Sequence, residues 1–245
     1  MKYSRCLRSF LLAGTFFIYT NSFCQSTDTG TVRGTTVLTF IKKDSIIIAA
    51  DSKMLVEFPD TSWNSRFFKI AHYKNIFFSS AGMSLFINKR GDTLFNAAST
   101  MIEMLKEYST IDKAIKYYNE KSVAVINSLY EANPASFDKN NILEFEVITF
   151  QNGAPYFKFW QYMVDGRINK VVALEQKGNK TLPFIHFMGN QEFALEKVSG
   201  WFASSTNHIA TLIKLIKLEI SNDKKHLGEP IDVITIYPNK HFRVR

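Results

Sequence analysis

Gly34-Thr35-Thr36-Val37-Leu38-Thr39-Phe40-Ile41, followed by Ile46-Ile47-Ile48-Ala49-Ala50-Asp51-Ser52-Lys53, is the stretch that decides how this chain is read. It has the pattern of a tight hairpin of two apolar strands, with a Thr at its entry and an Asp at its exit. The four polar residues Lys42 to Ser45 suit the loop between them. If Ile41 pairs with Ile46, antiparallel register sets Thr36 opposite Asp51 and Thr35 opposite Ser52. Directly opposed residues lie about 5 Å apart, so a hydroxyl, a carboxylate and a glycyl-threonyl peptide bond meet at one end of the hairpin. Those are the parts an N-terminal nucleophile needs. The competing reading is a buried hairpin whose Thr and Asp satisfy each other or cap a turn, since short motifs also match by chance.

The sequence around this hairpin bounds its setting. At 245 residues the chain is long enough for one large domain and short for two. Its 22 Phe call for thick apolar layers. Residues 1–24 differ in kind: Lys2, Arg5 and Arg8 make a basic start, Phe10 to Tyr19 is apolar, and the small residues Ser22 and Cys24 precede Gln25. This is the layout of a secretory signal peptide, and its apolar run is too short for a spanning helix of about 20 residues. Cleavage after Cys24 is expected, with export to the periplasm or the extracellular space and only a transient link to the membrane. Acylation of Cys24 is the weaker reading, because bulky Phe23 sits where that processing prefers a small residue.

Both cysteines, Cys6 and Cys24, lie in this leader, so the mature chain is expected to lack a disulfide, a thiolate nucleophile and a Cys-ligated zinc. The five histidines show no metal-site spacing, no glycine loop suits a phosphate, and no metal or cofactor is expected. Losing Lys2, Arg5 and Arg8 takes the formal charge from +8 to +5, a mild excess spread along the chain. The C-terminal Lys240-His241-Phe242-Arg243-Val244-Arg245 reads as a solvated end. No motif supports nucleic-acid binding.

Gln25 to Arg33 is polar and reads as a flexible or propeptide-like segment, residues 25–34 in all, ahead of a single domain over 35–245. A second hairpin is expected from Arg66-Phe67-Phe68-Lys69-Ile70-Ala71, a turn at 72–75, and Ile76 to Gly82. Continuous apolar runs in both hairpins point to strands covered on both faces. Leu94, Phe95, Ala98, Met101, Ile102 and Leu105 fall at helical spacing. Another helix is expected from Thr110 to Ala132, opened by Ser109-Thr110-Ile111-Asp112 in the manner of a capping box with Asp for Glu. Strands follow at Ile142–Phe150, Pro155–Met163, Ile168–Leu174 and Phe184–Met188, with turns at Asn152-Gly153 and Asp165-Gly166. Helices near Glu192–Phe202 and His208–Ile220 precede a strand at Ile231–Ile236. Two strand groups, each followed by a helix pair, predict an α+β, four-layer αββα sandwich: two stacked, mainly antiparallel sheets flanked by helices.

Gly-Thr-Thr-Val-Leu-Thr-Phe, Ile-Ala-Ala-Asp-Ser-Lys, Phe-Lys-Ile and Ser-Ala-Gly resemble, in order and spacing, the front half of proteasome β-type subunits and their bacterial relatives. That resemblance implies the fold of N-terminal nucleophile (Ntn) hydrolases. It is specific over Gly34 to Gly82 and topological beyond. It sets the nucleophile on Thr35, exposed by autocleavage after Gly34, with the freed α-amine as base for its own hydroxyl. An α-amine titrates at about pH 8, which suits that role. The resemblance puts the orienting carboxylate on Asp51, the active-site lysine on Lys69 and an oxyanion-binding backbone N–H at Gly82. An isolated Lys between Phe68 and Ile70 is expensive to bury without a carboxylate; the competing reading points it outward. The family's supporting serine segment has only Phe187-Met188-Gly189-Asn190 as counterpart. Near the C-terminus Asp223 matches a supporting Asp, while His226 or Leu227 replaces the serine.

The activity implied is threonine-type hydrolysis of a peptide or small amide, in a chain that is a homo-oligomer by family analogy alone. A non-catalytic binding or scaffolding protein on the same sandwich is the alternative. An unrelated β-rich adhesin would lack two stacked sheets between helices.

Overall fold

The structure, a computed structural model, describes residues 29–33, 35–57, 62–88, 90–176 and 181–244. The expected signal peptide (1–24), residues 25–28 and Gly34 with its expected cleavage point lie outside the described residues. The leading hairpin forms as its spacing requires: β2 (Thr36–Ile41) and β3 (Ile46–Asp51) pair with Ile41 against Ile46 and Val37 against Ala50. The Lys42 N–H closes the loop onto the Ser45 carbonyl at 2.8 Å. All twelve strand residues are buried, because both faces are covered. With the side-chain period of two, Leu38, Phe40, Ile47 and Ala49 face one way, toward the C-terminal helices. Val37, Ile41, Ile46, Ile48 and Ala50 face the other, toward a second sheet.

Around the hairpin, from the N-terminus, lie β1 (Thr29–Arg33), β4 (Lys53–Glu57), β5 (Ser62–Arg66), β6 (Ile70–Tyr73), β7 (Ile76–Gly82), β8 (Leu85–Asn88) and β9 (Thr93–Asn96). Helices α1 (Ala97–Glu107) and α2 (Ile111–Ala132) follow, then β10 (Leu143–Gln151), β11 (Ala154–Asp165), β12 (Lys170–Glu175) and β13 (Phe184–Gly189). The chain ends with α3 (Glu192–Ala203), α4 (His208–Asn222), β14 (Ile231–Tyr237) and β15 (Lys240–Val244). One sheet runs β13-β2-β3-β14-β15 and the sheet stacked on it runs β12-β11-β10-β7-β6, with antiparallel neighbours throughout. Ile70, Phe77, Ala81, Ile148 and Phe159 meet the inward residues of the hairpin between the sheets. Beyond the second sheet, Phe78, Phe145, Val147, Trp160 and Tyr162 pack on Met101 and Leu105 of α1 and Ile115, Tyr118 and Ile126 of α2. Beyond the first, Ala194 of α3 and Leu212, Leu215 and Ile216 of α4 cover it. The result is the αββα sandwich that the order of elements predicts.

A third sheet, β5-β4-β1-β8-β9, is an addition that the sequence pattern did not signal. Thr29–Arg33, read as part of a flexible segment, is its central strand. Other boundaries move for local reasons. Arg66 closes β5 instead of opening the strand that holds Ile70. Leu94 and Phe95 belong to β9, because the Asn96 side chain accepts the Ser99 N–H at 3.0 Å and starts α1 after them. Ile168 is exposed in a turn, so β12 begins later, at Lys170. The basic C-terminal run is exposed from Lys240 to Arg243, as a solvated end should be, and it is also ordered: Lys240 to Val244 pair with β14 as an edge strand.

The helix starts show how the layers lock together. Thr110, not Ser109, caps α2, accepting the Lys113 N–H at 3.4 Å. Asp112 does not complete a capping box; its carboxylate takes the Tyr156 hydroxyl and the Lys158 ammonium of β11, each at 2.9 Å. Helix α3 has no side-chain cap of its own at Gln191. The buried Glu219 carboxylate on α4 accepts the Ala194 N–H at 2.6 Å instead. One helix therefore supplies the cap of the other. Glu219→Ala strands a buried donor, which costs about 1–3 kcal/mol. A lower urea midpoint with an unchanged m-value is the expected result.

Candidate active site

The site is built around a carboxylate that has lost all contact with water. Asp51 ends β3 and is fully buried. A buried ionised carboxyl must be compensated by donors or opposite charge, and Asp51 collects both. Its Oδ1 accepts the Thr36 N–H at 2.9 Å, as the hairpin register requires, and the Lys69 ammonium at 2.7 Å. Its Oδ2 accepts the N–H groups of Lys53 at 3.2 Å and Gly228 at 3.3 Å. Lys69, between β5 and β6, is itself 4% exposed. Burial pushes its ammonium below the ordinary lysine range, while the adjacent Asp51 charge pulls the other way. The outward-facing reading of Lys69 is thereby excluded.

Thr35 precedes β2 and is buried at 4% exposure. It is joined to Asp51 through the next residue, whose amide binds that carboxylate. The Thr35 carbonyl accepts the Asn190 N–H at 2.8 Å, and the Thr36 hydroxyl donates to the Asn190 carbonyl at 2.9 Å. Gly189 makes this approach possible. Its φ is +74°, and a Cβ there would lie 2.0 Å from the Thr35 carbonyl oxygen and 3.2 Å from the Ala81 side chain. No other residue fits. The Gly189 N–H donates to the Glu144 carboxylate at 2.5 Å. Burial raises the Glu144 pKa, and that hydrogen bond works against the rise.

Gly82 ends β7, one residue beyond Ala81, with φ +79°. A Cβ on it would meet the Ile142 carbonyl oxygen at 2.7 Å, and the Met83 N–H binds that same oxygen at 2.7 Å. Its glycine character is therefore accounted for by close approach to the strand beside it. Asp223, just past α4, accepts from the Asn190 side-chain amide at 2.7 Å and lies 2.8 Å from His226 Nδ1. It is linked to Thr35 through Asn190. Ser52, opposite Thr35 in register, turns its hydroxyl to the buried Asp232 at 2.7 Å. Among the described residues, no group of three or more His, Cys, Asp or Glu is arranged to hold a metal.

The sequence assigned no role to Asn190, Glu144 or Gly228, although Asn190 closes the segment set against the family's serine. A glycine followed by a polar residue at a strand end, in that same segment, was the signal for Gly189-Asn190. Glu144 and Glu146 are two acids in the otherwise mostly apolar run Leu143 to Phe150, where a buried acid needs an internal partner. Gly228 became relevant only when the chain folded back from 177 residues away.

No protein-family model and no curated protein matches the sequence. Among solved structures the chain is similar to a Gly-1 mutant of Anbu from Hyphomicrobium sp. strain MC1. The TM-score is 0.50 at 12% identity, over 86% of this chain and 87% of that one. Anbu is a bacterial proteasome-like protein, and at this identity the likeness is one of fold. The chain thus has a proteasome-like αββα architecture of the Ntn-hydrolase type.

Three substitutions probe the site's electrostatics. Asp51→Ala leaves the Lys69 charge buried without its carboxylate, a loss worth about 3–5 kcal/mol. Adding Lys69→Met is expected to recover part of it, read as urea midpoints. Glu144→Gln keeps an acceptor for Gly189 without a titrating charge. Because the folded pKa of Glu144 exceeds 4.5, the folded protein retains a proton that the unfolded chain releases. Wild-type stability therefore falls as pH rises through that interval. The advantage of Glu144→Gln over wild type should grow across the same interval and then level, as read by melting curves at stepped pH.

Proposed function

We propose that this protein is an exported threonine-type amide hydrolase in which Thr35, freed by cleavage after Gly34, is the nucleophile. The observation that carries the reading is the buried Lys69–Asp51 pair, tied through Asp51 to the amide directly after Thr35. A buried cation held by a carboxylate one residue from Thr35 favours ionisation of its hydroxyl, whose proton goes to the freed α-amine. In the proposed reaction the α-amine of Thr35 takes the hydroxyl proton as Oγ attacks the amide carbonyl. Backbone N–H groups, Gly82 the candidate among them, stabilise the oxyanion. The carbon–nitrogen bond then breaks, the leaving amine receives the proton, and an ester to Thr35 remains. Water, deprotonated by the same α-amine, hydrolyses that ester. Asp223 acts in this scheme as a positioning residue, through Asn190. The substrate class is a peptide or another small amide. The leader at residues 1–24 supports export, and a homo-oligomer is proposed by fold analogy alone.

A second reading has an observation in its favour. The chain runs into Thr35 from β1, a strand paired on both sides. Without cleavage Thr35 has no free amine, and the fold serves binding instead of hydrolysis.

Thr35→Ala separates the two. Under the first reading it abolishes cleavage after Gly34 and all amide hydrolysis, while the protein still folds, losing about 1 kcal/mol, the usual size for a point substitution. Intact mass under denaturing conditions reads the cleavage, and a panel of fluorogenic peptide amides reads the hydrolysis. Wild-type protein that stays uncut and hydrolyses nothing selects the binding reading. A Thr35→Ala variant that processes like its parent rejects the nucleophile.

A further inference from the structure

Thr29–Arg33 is the middle strand of a five-stranded sheet, and this bears on what becomes of the segment upstream of Thr35. On one side Thr31, Val32 and Arg33 pair with Glu57, Val56 and Leu55 of β4. On the other, Thr29, Gly30 and Thr31 pair with Asn88, Ile87 and Phe86 of β8. Among the described residues no other strand joins the two halves of that sheet: in the order β5-β4-β1-β8-β9, β1 is the link. Without it two separate hairpins would remain, β4 with β5 and β8 with β9. Their facing edges would stand about 9.5 Å apart, two strand spacings, and two-stranded hairpins are marginal in water by themselves.

The edges that β1 covers are not built for exposure. Val56 and Phe86 are fully buried, and Leu55, Leu85 and Ile87 are nearly so. Val56, Leu85 and Ile87 form a cluster of their own, flanked by Met54 and Phe67. Removing the strand between them would leave N–H and C=O groups along both β4 and β8 without partners, beside apolar side chains opened to water.

We infer that Thr29–Arg33 is a permanent structural strand and not a discarded pro-segment: if the bond before Thr35 is cut, the upstream piece stays bound between β4 and β8. The slot it fills is then closed to substrate, so anything reaching Thr35 approaches from another side. This conclusion does not depend on whether Thr35 is a nucleophile, because the strand is held in the cut and in the uncut chain alike.

The test uses the unaltered protein. Hydrogen exchange should show amides 29–33 protected to the same degree as those of β4 and β8. Exchange at the rate of an unstructured peptide would overturn the inference. Mass spectrometry under denaturing conditions reports cleavage, which bears on the hydrolase reading alone. If the chain is cut, its native mass should still include the upstream fragment; a folded species lacking that fragment would again overturn the inference. A paired substitution gives a second readout. Thr31→Pro removes a backbone donor from the strand's centre, whereas Thr31→Val retains it. Thr31→Pro should melt several degrees lower or fail to accumulate, with Thr31→Val close to the parent. Equal melting of Thr31→Pro and the parent would count against a structural strand.

Discussion

Burial of the Asp51 carboxylate is the constraint around which the rest of this molecule is arranged. An ionised carboxyl at zero exposure is tolerable only if its lone pairs are filled. Four chain segments fill them: the start of β2, the start of β4, the loop carrying Lys69, and the turn at Gly228 before β14. Each comes from a different part of the sequence. The carboxylate consequently fixes where the first hairpin ends, where the next strand departs and where the C-terminal turn docks. The same demand draws an ammonium group into the interior, where burial lowers its proton affinity. Structure and candidate chemistry share one cause: a charge excluded from water must be answered by groups held close to it.

Close approach of backbones is the second device. Gly189 lets the end of β13 lie against the Thr35 carbonyl, and Asn190 then binds that carbonyl and the Thr36 hydroxyl. From Asn190 the hydrogen bonds continue to Asp223 and His226. Thr35 is thus gripped through its own backbone, independently of its hydroxyl. Such a grip limits the freedom of a side chain whose orientation decides whether it can attack anything.

Polar groups also register the two stacked sheets. Glu146 of β10 is fully buried between them and accepts the hydroxyls of Thr39 on β2, at 2.6 Å, and Ser79 on β7, at 2.5 Å. His186 of β13 lies 4.0 Å from the other carboxylate oxygen, with the rings of Phe157 and Phe159 against its imidazole. A one-residue slip of β2 would turn Thr39 toward the helices and leave Glu146 short of a donor. The slip is penalised even though the surrounding residues are interchangeable aliphatics.

Much of this was determined by local sequence. The apolar runs of β2 and β3, their four-residue loop and the period of two set Thr36 against Asp51, because antiparallel pairing leaves no other register once the loop length is given. The helical spacing of α1, α2 and α4 and the Asn-Gly and Asp-Gly turns likewise act within a few residues, and the sandwich followed from their order. What tertiary structure alone decided lies in interactions that cross the chain. Neither Thr29–Arg33 nor the short strands β4, β5, β8 and β9 has a strong pattern of its own; they become a sheet only by pairing with one another. Asp112 left the helix cap that its position suggests because a Tyr and a Lys on β11 offered it better partners. Gly189, Asn190, Glu144 and Gly228 carry at most a weak local signal of a site, since what each contributes is a backbone group or a lone pair whose value depends on a partner tens of residues away. Local periodicity fixes which face of an element is buried; only the packed chain fixes what that face meets.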